Sequence, residues 1–245
     1  MMTLGPFSYV MVALNLLMLP GWVFDWAGSR LERSRTPRTV VYDPALTIGL
    51  PPGVTGPSGM NALAHCAEAL YAPGANPVTS LLAEEGARLL ARGLPRAVAD
   101  PGDLAARSDA LLGAWLAGAA LAAAGVGVHH QLCHLLGGAY RLPHAELHAV
   151  VLPHTVRFVA PAARPQLARL AGALGVEEAA GGIWDLGRRL GTPASLAELG
   201  VAETELDRAA EQAVARVVQA PRRAGVSELR ALLDDAWNGR RPLPR

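Results

Sequence analysis

Histidine is the residue type whose placement carries most of the chemical information in this sequence. All seven histidines lie between residues 65 and 154, and none occurs in the last ninety residues. Asn61 and His65 are four residues apart, and so are His130 and His134. Side chains at this spacing lie on one face of a helix, where both can reach the same ligand. The sequence therefore predicts two helical pairs that share a pocket.

A fifth candidate follows a turn in the chain. Gly137-Gly138 is expected to end the second of these helices, since glycine is common just past a helix C-terminus. A turn through Pro143 then brings His144 back ten residues after His134. We expect one pocket to hold all five candidate side chains, which are Asn61, His65, His130, His134 and His144.

Three imidazoles and one oxygen donor are the ligand set of a four-coordinate first-row metal such as zinc or iron. The oxygen donor here, Asn61, is a neutral amide and a weaker ligand than a carboxylate, and no H-E-x-x-H pattern replaces it. Glu68 lies two turns further along the same face and could interact with a neighbouring side chain instead. We therefore expect this cluster to bind a divalent metal weakly or not at all.

Each histidine also has a structural interpretation, because a histidine on an Ala/Leu-rich helix is often hydrogen-bonded within the core. The coincidence of four histidines in one region favours a functional role for the candidates. We assign His129, His148 and His154 to structural or surface positions by default. Cys133 falls on a different helix face, so we expect a buried, small apolar residue there and not a nucleophile.

The charge balance and the residue types exclude several classes of protein. The 245 residues carry 22 basic and 21 acidic side chains, so no basic surplus exists to contact nucleic-acid phosphates. Every basic residue is Arg, and the absence of Lys excludes Schiff-base chemistry and a lysine-bearing phosphate loop. The two cysteines, Cys66 and Cys133, are too few for a disulfide framework and are typical of a reducing compartment, which predicts a cytoplasmic protein.

The composition, rich in Ala and Leu with 5% aromatic residues, predicts an all-α fold of eight or nine helices. The segment TVVYDP (39–44) is rich in β-branched residues and predicts a short strand remnant in front of them. We assign residues 39–245 to one helical domain. Its helix starts are indicated at Asn76-Pro77 (running to about Arg92), Asp103 (running to Gly125), Thr192-Pro193 and Ser227-Glu228.

Residues 1–38 form an apolar leader that differs from the rest of the chain. Residues 6–24 are mostly apolar, and four arginines follow by residue 38. About 20 apolar residues span a bilayer, so a membrane anchor is one interpretation. A buried segment, or an N-terminus that is not native to this domain, is the other. Asn15 and Pro20 interrupt the apolar run, which makes a membrane-spanning helix the less favoured interpretation.

Three segments of the chain resemble a known family. They are YDPALTIGLP (42–51), GMNALAHCAEALYAPGANPVTSLLAEEG (59–86) and HHQLCHLLGGAYRLPHAELHAVVLPH (129–154). Their order and spacing are similar to those of the maleylacetate reductases, a branch of the iron-containing (group III) alcohol dehydrogenase superfamily, and the resemblance covers residues 38–245. In that family one histidine lies beside the nicotinamide and the substrate, and the resemblance implies that this residue is His134 here. It implies that the family's metal-site positions are Asn61, His65, His130 and His144.

The resemblance implies reduction of the carbon–carbon double bond of 2-maleylacetate to 3-oxoadipate by NADH or NADPH, in the degradation of aromatic compounds. In the metal-dependent alcohol dehydrogenases the first metal-site position is Asp. Asn61 therefore points to the reductase branch, whose members are considered to work without the metal. The implied substrate is a small dicarboxylate, and the chain is expected to be a homodimer or to self-associate. The implied catalytic residues are His65, His130, His134 and His144.

The resemblance also implies an N-terminal α/β domain that binds the nucleotide through a glycine-rich loop. Neither G-x-G-x-x-G nor Gly-Gly-Gly-Ser follows a predicted strand in this sequence, so we expect that domain to be largely absent and this chain to be the helical C-terminal part. Two alternatives stay open. One is a metal-dependent, iron-type alcohol dehydrogenase holding iron or zinc, and the other is an inactive helical fragment or a subunit that needs a nucleotide-binding partner.

Overall fold

The computed structural model describes residues 41–216 and 220–243, and over these ranges the chain is helical and has no β-strand. The predicted all-α fold is confirmed, and nine α-helices occur within the described ranges. Two short 3-10 helices, Pro44–Thr47 and Glu203–Glu205, accompany them. The α-helices are α1 (Pro52–Ala69), α2 (Pro77–Ala99), α3 (Leu104–Ala124), α4 (Val128–Tyr140), α5 (His144–Val159), α6 (Arg164–Leu174), α7 (Ala179–Arg189), α8 (Leu206–Arg216) and α9 (Val226–Trp237).

Side-chain caps set the start of the two longest helices, as their sequences predict. The Asn76 carboxamide accepts hydrogen bonds from the backbone N–H groups of Val78 and Thr79, and the Thr79 hydroxyl accepts from Asn76 in return. The Asp103 carboxylate caps α3 through the N–H of Ala106. Each cap satisfies N–H groups that the first turn of a helix leaves without partners. Helix α2 continues well beyond the predicted end at Arg92.

The predicted strand is wrong in its described part. Residues 41–43 have no regular structure, and the 3-10 helix Pro44–Thr47 follows them, capped by the Asp43 carboxylate. A strand needs a neighbouring strand to satisfy its backbone groups, and none lies within the described ranges. Residues 39 and 40 lie outside those ranges.

Two predicted helix boundaries are also wrong, the helix start at Thr192-Pro193 and the helix end at Gly137-Gly138. Thr192-Pro193 begins no helix, because the Thr192 N–H bonds back to the Gly187 carbonyl and closes the end of α7, with Gly191 in the left-handed region. Gly137-Gly138 lies inside α4, which runs on to Tyr140. The left-handed residue that ends α4 is Arg141, with φ of 53°.

Helix α1 lies at the centre of the fold, packed against α2, α3 and α5. Almost all of its second half is buried, which is unusual for a helix that also carries Asn, His and Glu side chains. Among the described helices, α2 and α3 make the most extensive contact, and Gly86 and Gly113 face each other across it. Helices α4 and α5 pack together beside α1, and α5 also contacts α7 and α9. This arrangement places α4 and the start of α5 next to the polar face of α1.

No single helix in the described ranges is long and apolar enough to cross a membrane. Helices α3 and α4 pass that test only as a pair, and they are bent by 100° relative to each other. The apolar leader, residues 1–38, lies outside the described residues.

Candidate functional site

Three helices bring the predicted side chains together. Helix α1 contributes Asn61 and His65, helix α4 contributes His130 and His134, and His144 is the first residue of α5. The His65 and His130 rings are 4.8 Å apart between centroids. His130 and His134 are 6.0 Å apart, and His134 and His144 are 6.4 Å apart with nearly parallel planes. The four candidate histidines thus form one continuous group.

Two further histidines, which sequence reasoning assigned to structural positions, belong to the same group. The His148 ring lies 4.3 Å from the ring of His144 and 4.8 Å from that of His130. His129 lies 4.8 Å from His148 and 5.3 Å from His130. We call the six residues His65, His129, His130, His134, His144 and His148 the histidine cluster. His148 could have been found from the sequence, because it stands four residues after His144 as His134 does after His130.

Glu68 is the acidic residue of the site, and it is completely buried. Its carboxylate accepts the backbone N–H groups of Gly127 and His129 at 2.9 and 2.6 Å, and so caps the N-terminus of α4 from the end of α1. It also lies 2.6 Å from Nδ1 of His130. Because a carboxylate only accepts hydrogen bonds, Nδ1 of His130 carries the proton and Nε2 is left to face the site. The neighbour interaction expected for Glu68 is thus a hydrogen bond to His130.

Four side-chain atoms of the site are buried without a hydrogen-bond partner. Buried polar atoms nearly always have one, and leaving such an atom unpaired costs free energy. Several buried, unpaired polar atoms gathered at one place are therefore typical of a ligand-binding site. The atoms are Oδ1 of Asn61, Nδ1 of His65, Nε2 of His130 and Nε2 of His148.

Burial disfavours the charged form of five histidines of the cluster. The pKa values of His65, His129 and His148 are lowered well below the usual range, first by burial and then by the neighbouring imidazoles. Burial followed by the proximity of His130 also lowers the pKa of His134, to about 4, and that of His144. The carboxylate in hydrogen-bond contact with the cluster is that of Glu68, and it touches His130. Because this carboxylate lies beside His130, a positive charge in the cluster is best compensated there.

Three other residues considered from the sequence lie beside the cluster or away from it. Cys133 is buried, and burial raises the pKa of its thiol well above the usual range, so it is a protonated neighbour of His129. His154 lies further along α5 and lines a surface groove with Phe158, Arg222 and Asp235. Cys66 is likewise buried and unpaired.

A divalent cation fits the family's metal-site positions poorly. Asn61 contributes no charge, and the carboxylate of Glu68 is already used by α4 and His130. Among the described residues, the one group of three potential ligands with donor atoms all within 4.8 Å of one another is His129, Cys133 and His148. That group contains none of the three histidines at the family's metal-site positions, His65, His130 and His144.

Comparison with known proteins identifies the family of this chain. Residues 55–237 match the C-terminal part of the Fe-containing alcohol dehydrogenase family, which is most of the described chain. This chain belongs to the Fe-containing alcohol dehydrogenase family. The helical architecture is that of the family's C-terminal domain, as the sequence predicted.

Several relatives within the Fe-containing alcohol dehydrogenases are maleylacetate reductases. The chain is 51% identical over 206 residues to a maleylacetate reductase from Burkholderia cepacia, and 48% identical over 206 residues to maleylacetate reductase 1 from Rhodococcus opacus. Each alignment covers 84% of this chain and 58% of the relative. The chain thus spans less than two thirds of the length of these relatives.

Solved structures give the same result. The crystal structure of maleylacetate reductase from Rhizobium sp. strain MTP-10005 superimposes with a TM-score of 0.81 at 50% identity, covering 84% of this chain and 59% of that one. An iron-containing alcohol dehydrogenase from Corynebacterium glutamicum superimposes with a TM-score of 0.80 at 39% identity, covering 84% and 58%. The fold of this Fe-containing alcohol dehydrogenase domain is therefore shared between reductase and dehydrogenase relatives.

Proposed function

We propose that this chain is the helical, substrate-binding part of a maleylacetate reductase, which reduces 2-maleylacetate to 3-oxoadipate with NADH or NADPH. The observation that carries the proposal is the histidine cluster beside Asn61, which stands at the position where metal-dependent members of the family have Asp. The names of the relatives support the same substrate. The proposed location is the cytoplasm, in keeping with two buried, unpaired cysteines.

The reaction is balanced by one hydride and one proton. A bound nicotinamide supplies the hydride, which adds two electrons and a hydrogen to one carbon of the double bond. The proton then goes to the other carbon, and the oxygen of the conjugated ketone carries negative charge in between. Hydrogen-bond donors aimed at that oxygen lower the barrier, because they stabilise charge that develops during the reaction.

The Glu68–His130 pair is suited to supply this proton. An imidazolium at His130 would be compensated by the buried carboxylate 2.6 Å from Nδ1, while Nε2 faces the site. His134 and His144, at the less buried end of the cluster, are placed to orient the substrate by hydrogen bonds. His65 lies at the opposite end, next to His130.

Asn61 suits a dianionic substrate. A carboxylate at this buried position would repel the two carboxylates of maleylacetate, and like charges at short range in a buried site interact strongly. The amide of Asn61 can instead donate a hydrogen bond through its nitrogen. The position therefore favours a dicarboxylate over a metal ion.

The test joins this chain to the nucleotide-binding domain of a maleylacetate reductase relative and follows NADH oxidation by absorbance. We expect turnover with maleylacetate and not with simple alcohols. His134→Ala should lower kcat at least tenfold, since removing one hydrogen-bond donor that stabilises developing charge costs about 10²-fold or more. His154→Asn, a change at a histidine outside the cluster, is the matched control. An unchanged kcat in His134→Ala, or turnover of alcohols alone, would contradict the proposal.

A further inference from the structure

A row of three hydrogen-bonded side chains lies behind the histidine cluster. The Thr155 hydroxyl is placed to donate to the main-chain carbonyl of Leu152 at 2.9 Å, and its oxygen lies 3.0 Å from Nδ1 of His129. Nε2 of His129 lies 2.9 Å from Nδ1 of His148. Thr155, His129 and His148 are all completely buried. Together they form a rigid support for the His148 ring.

The Thr155 hydroxyl determines which atom donates and which accepts in each of these hydrogen bonds. Since the Thr155 hydroxyl proton is used on α5, its oxygen accepts, and Nδ1 of His129 must carry a proton. Nε2 of His129 then accepts from Nδ1 of His148, which must also be protonated. Nε2 of His148 is left as a lone pair, and it is one of the buried atoms without a partner. Both histidines are thus fixed as the Nδ1–H tautomer.

The supported ring stands against two of the family's metal-site positions. Its centroid is 4.3 Å from that of His144 and 4.8 Å from that of His130, which are van der Waals contacts between imidazoles. A cation bound by His130 and His144 would have to lie within about 2.1 Å of a nitrogen of each. The His148 ring lies against both of these side chains, and its position is fixed from behind by His129.

The group formed by His129, Cys133 and His148 could itself be considered as a metal site, since its donor atoms are close together. The distances favour hydrogen bonding. Two nitrogens bound to one tetrahedral zinc lie roughly 3.3 Å apart, as follows from zinc–nitrogen bonds of about 2.0 Å. The 2.9 Å between His129 and His148 is the ordinary length of a hydrogen bond. Sγ of Cys133 lies 3.7 Å from Nε2 of His129, within the range of a weak hydrogen bond to sulfur.

The geometry points to a specific role for His148: held by His129 and Thr155, its imidazole takes the place of a divalent cation between the helices of the site. The chain therefore excludes the metal by two devices, the neutral amide of Asn61 and the ring of His148. This goes beyond the proposed reaction, since it concerns which ion the cluster can hold and not which substrate it reduces.

Zinc titration of the full 245-residue chain tests the inference by calorimetry. Wild type should bind zinc weakly at the cluster. His148→Asn removes the ring, and its amide can still donate to His129. We expect Asn61→Asp alone to strengthen binding less than tenfold, and Asn61→Asp with His148→Asn to strengthen it at least a hundredfold, to one zinc per chain. His154→Asn, on the same helix and outside the cluster, is the control and should leave binding unchanged.

Three results would overturn the inference. Wild type that retains one zinc per chain through chelator dialysis is one of them. The second is weaker zinc binding in His148→Asn or Cys133→Ser, because it would make these residues ligands. The third is a double variant that is folded by circular dichroism and still fails to bind zinc.

A second measurement on wild type needs no variant to fold. Long-range ¹H–¹⁵N spectra of the histidine side chains report which ring nitrogen carries the proton. We expect the Nδ1–H tautomer for both His129 and His148. The Nε2–H tautomer at His148 would show that the row of hydrogen bonds does not hold its ring as described, and would overturn the inference independently of zinc.

Discussion

Individual residues decide the chemistry of this site, and their spacing made most of them predictable. The i, i+4 pairs found from the sequence, Asn61 with His65 and His130 with His134, do share one site. The same rule applies to His144 and His148, yet His148 was assigned a structural position. Sequence spacing cannot show that a ring is held by a threonine and a histidine on two helices. That fact depends on how α4 packs on α5.

His154 gives a prediction about pH. It is 4% exposed, and burial is the main cause that lowers its pKa from 6.5 to about 4, while Asp235 opposes the shift. Between these two values the unfolded chain binds a proton at His154 and the folded chain does not, so stability is present above pH 6.5 and is lost as pH falls toward 4. From pH 7 to pH 4.5 this group should account for roughly 2 kcal/mol of lost stability.

Urea unfolding of wild type and His154→Asn at both pH values measures this contribution. In the variant the loss of unfolding free energy between the two pH values should be smaller by roughly 2 kcal/mol. Asp207→Asn, at an exposed carboxylate on α8 that pairs with Arg230, serves as a control for general charge effects. Equal pH dependence in wild type and His154→Asn would mean that His154 titrates normally in the folded state.

At the scale of helices, the N-terminus of α4 shows what local sequence cannot predict. Gly127 has no side chain to cap α4, and Glu68 from the end of α1 supplies the cap across 59 residues of sequence. Helices α2 and α3, by contrast, carry their caps at Asn76 and Asp103, which is why their starts were predictable. The end of α7 was misread because Thr192-Pro193 has the residues of an N-cap but serves to close the preceding helix.

The contact between α2 and α3 gives a prediction at this scale. A Cβ atom at Gly86 would lie 2.9 Å from Sγ of Cys66 and 3.1 Å from the carbonyl oxygen of Gly113. Gly86→Ala must therefore push α2 away from both α1 and α3, and overpacking of this kind costs about 1–3 kcal/mol. Thermal unfolding should show a lower Tm than wild type.

Gly138→Ala is the matched control for this change. Gly138 lies inside α4, and nothing stands within 4 Å of the position of a new Cβ. Alanine is favoured over glycine inside a helix by about 1 kcal/mol at most, so the variant should be as stable as wild type or more so. Destabilisation by Gly138→Ala would instead support the original expectation that this glycine ends the helix.

The whole molecule presents apolar surface on one side of α3. Trp115 and Leu112 are 45% and 49% exposed, and with Tyr42 and Pro44 they line one depression. Exposed apolar groups gathered in this way favour association with another surface. We expect the purified chain to self-associate with rising concentration and Trp115→Arg to reduce this, as measured by sedimentation velocity. Val214→Arg, at an exposed apolar residue on α8, should leave association unchanged; an equal effect would indicate a general charge effect.

Composition and cap residues were sufficient to predict an all-α fold and eight or nine helices, while the strand at residues 39–44 was predicted from its residue types alone. In its described part, residues 41–44, that prediction failed, because β-branched residues form a strand only where another strand is available, and the described chain offers none. A helical body of this kind also determines what the chain can do by itself. In the proposed reaction α1, α4 and α5 provide the substrate side of the site, and the described loops contain no glycine-rich phosphate-binding turn after a strand.

The 245-residue chain alone is therefore expected not to reduce maleylacetate. Hydride transfer requires the nicotinamide to be held close to the substrate, and such positioning contributes roughly 7–11 kcal/mol to lowering the barrier. Dinucleotides are usually anchored by backbone N–H groups of a glycine-rich loop at a helix N-terminus, and this sequence has no Lys to act as a substitute charge.

A steady-state assay with NADH and maleylacetate on the purified, monodisperse chain should give no turnover above the background rate. The same chain joined to a relative's nucleotide-binding domain is the positive control. Turnover by the isolated chain within the ordinary range of enzymes would mean that its helices anchor the cofactor by themselves, and titration with NADH alone would then locate that site.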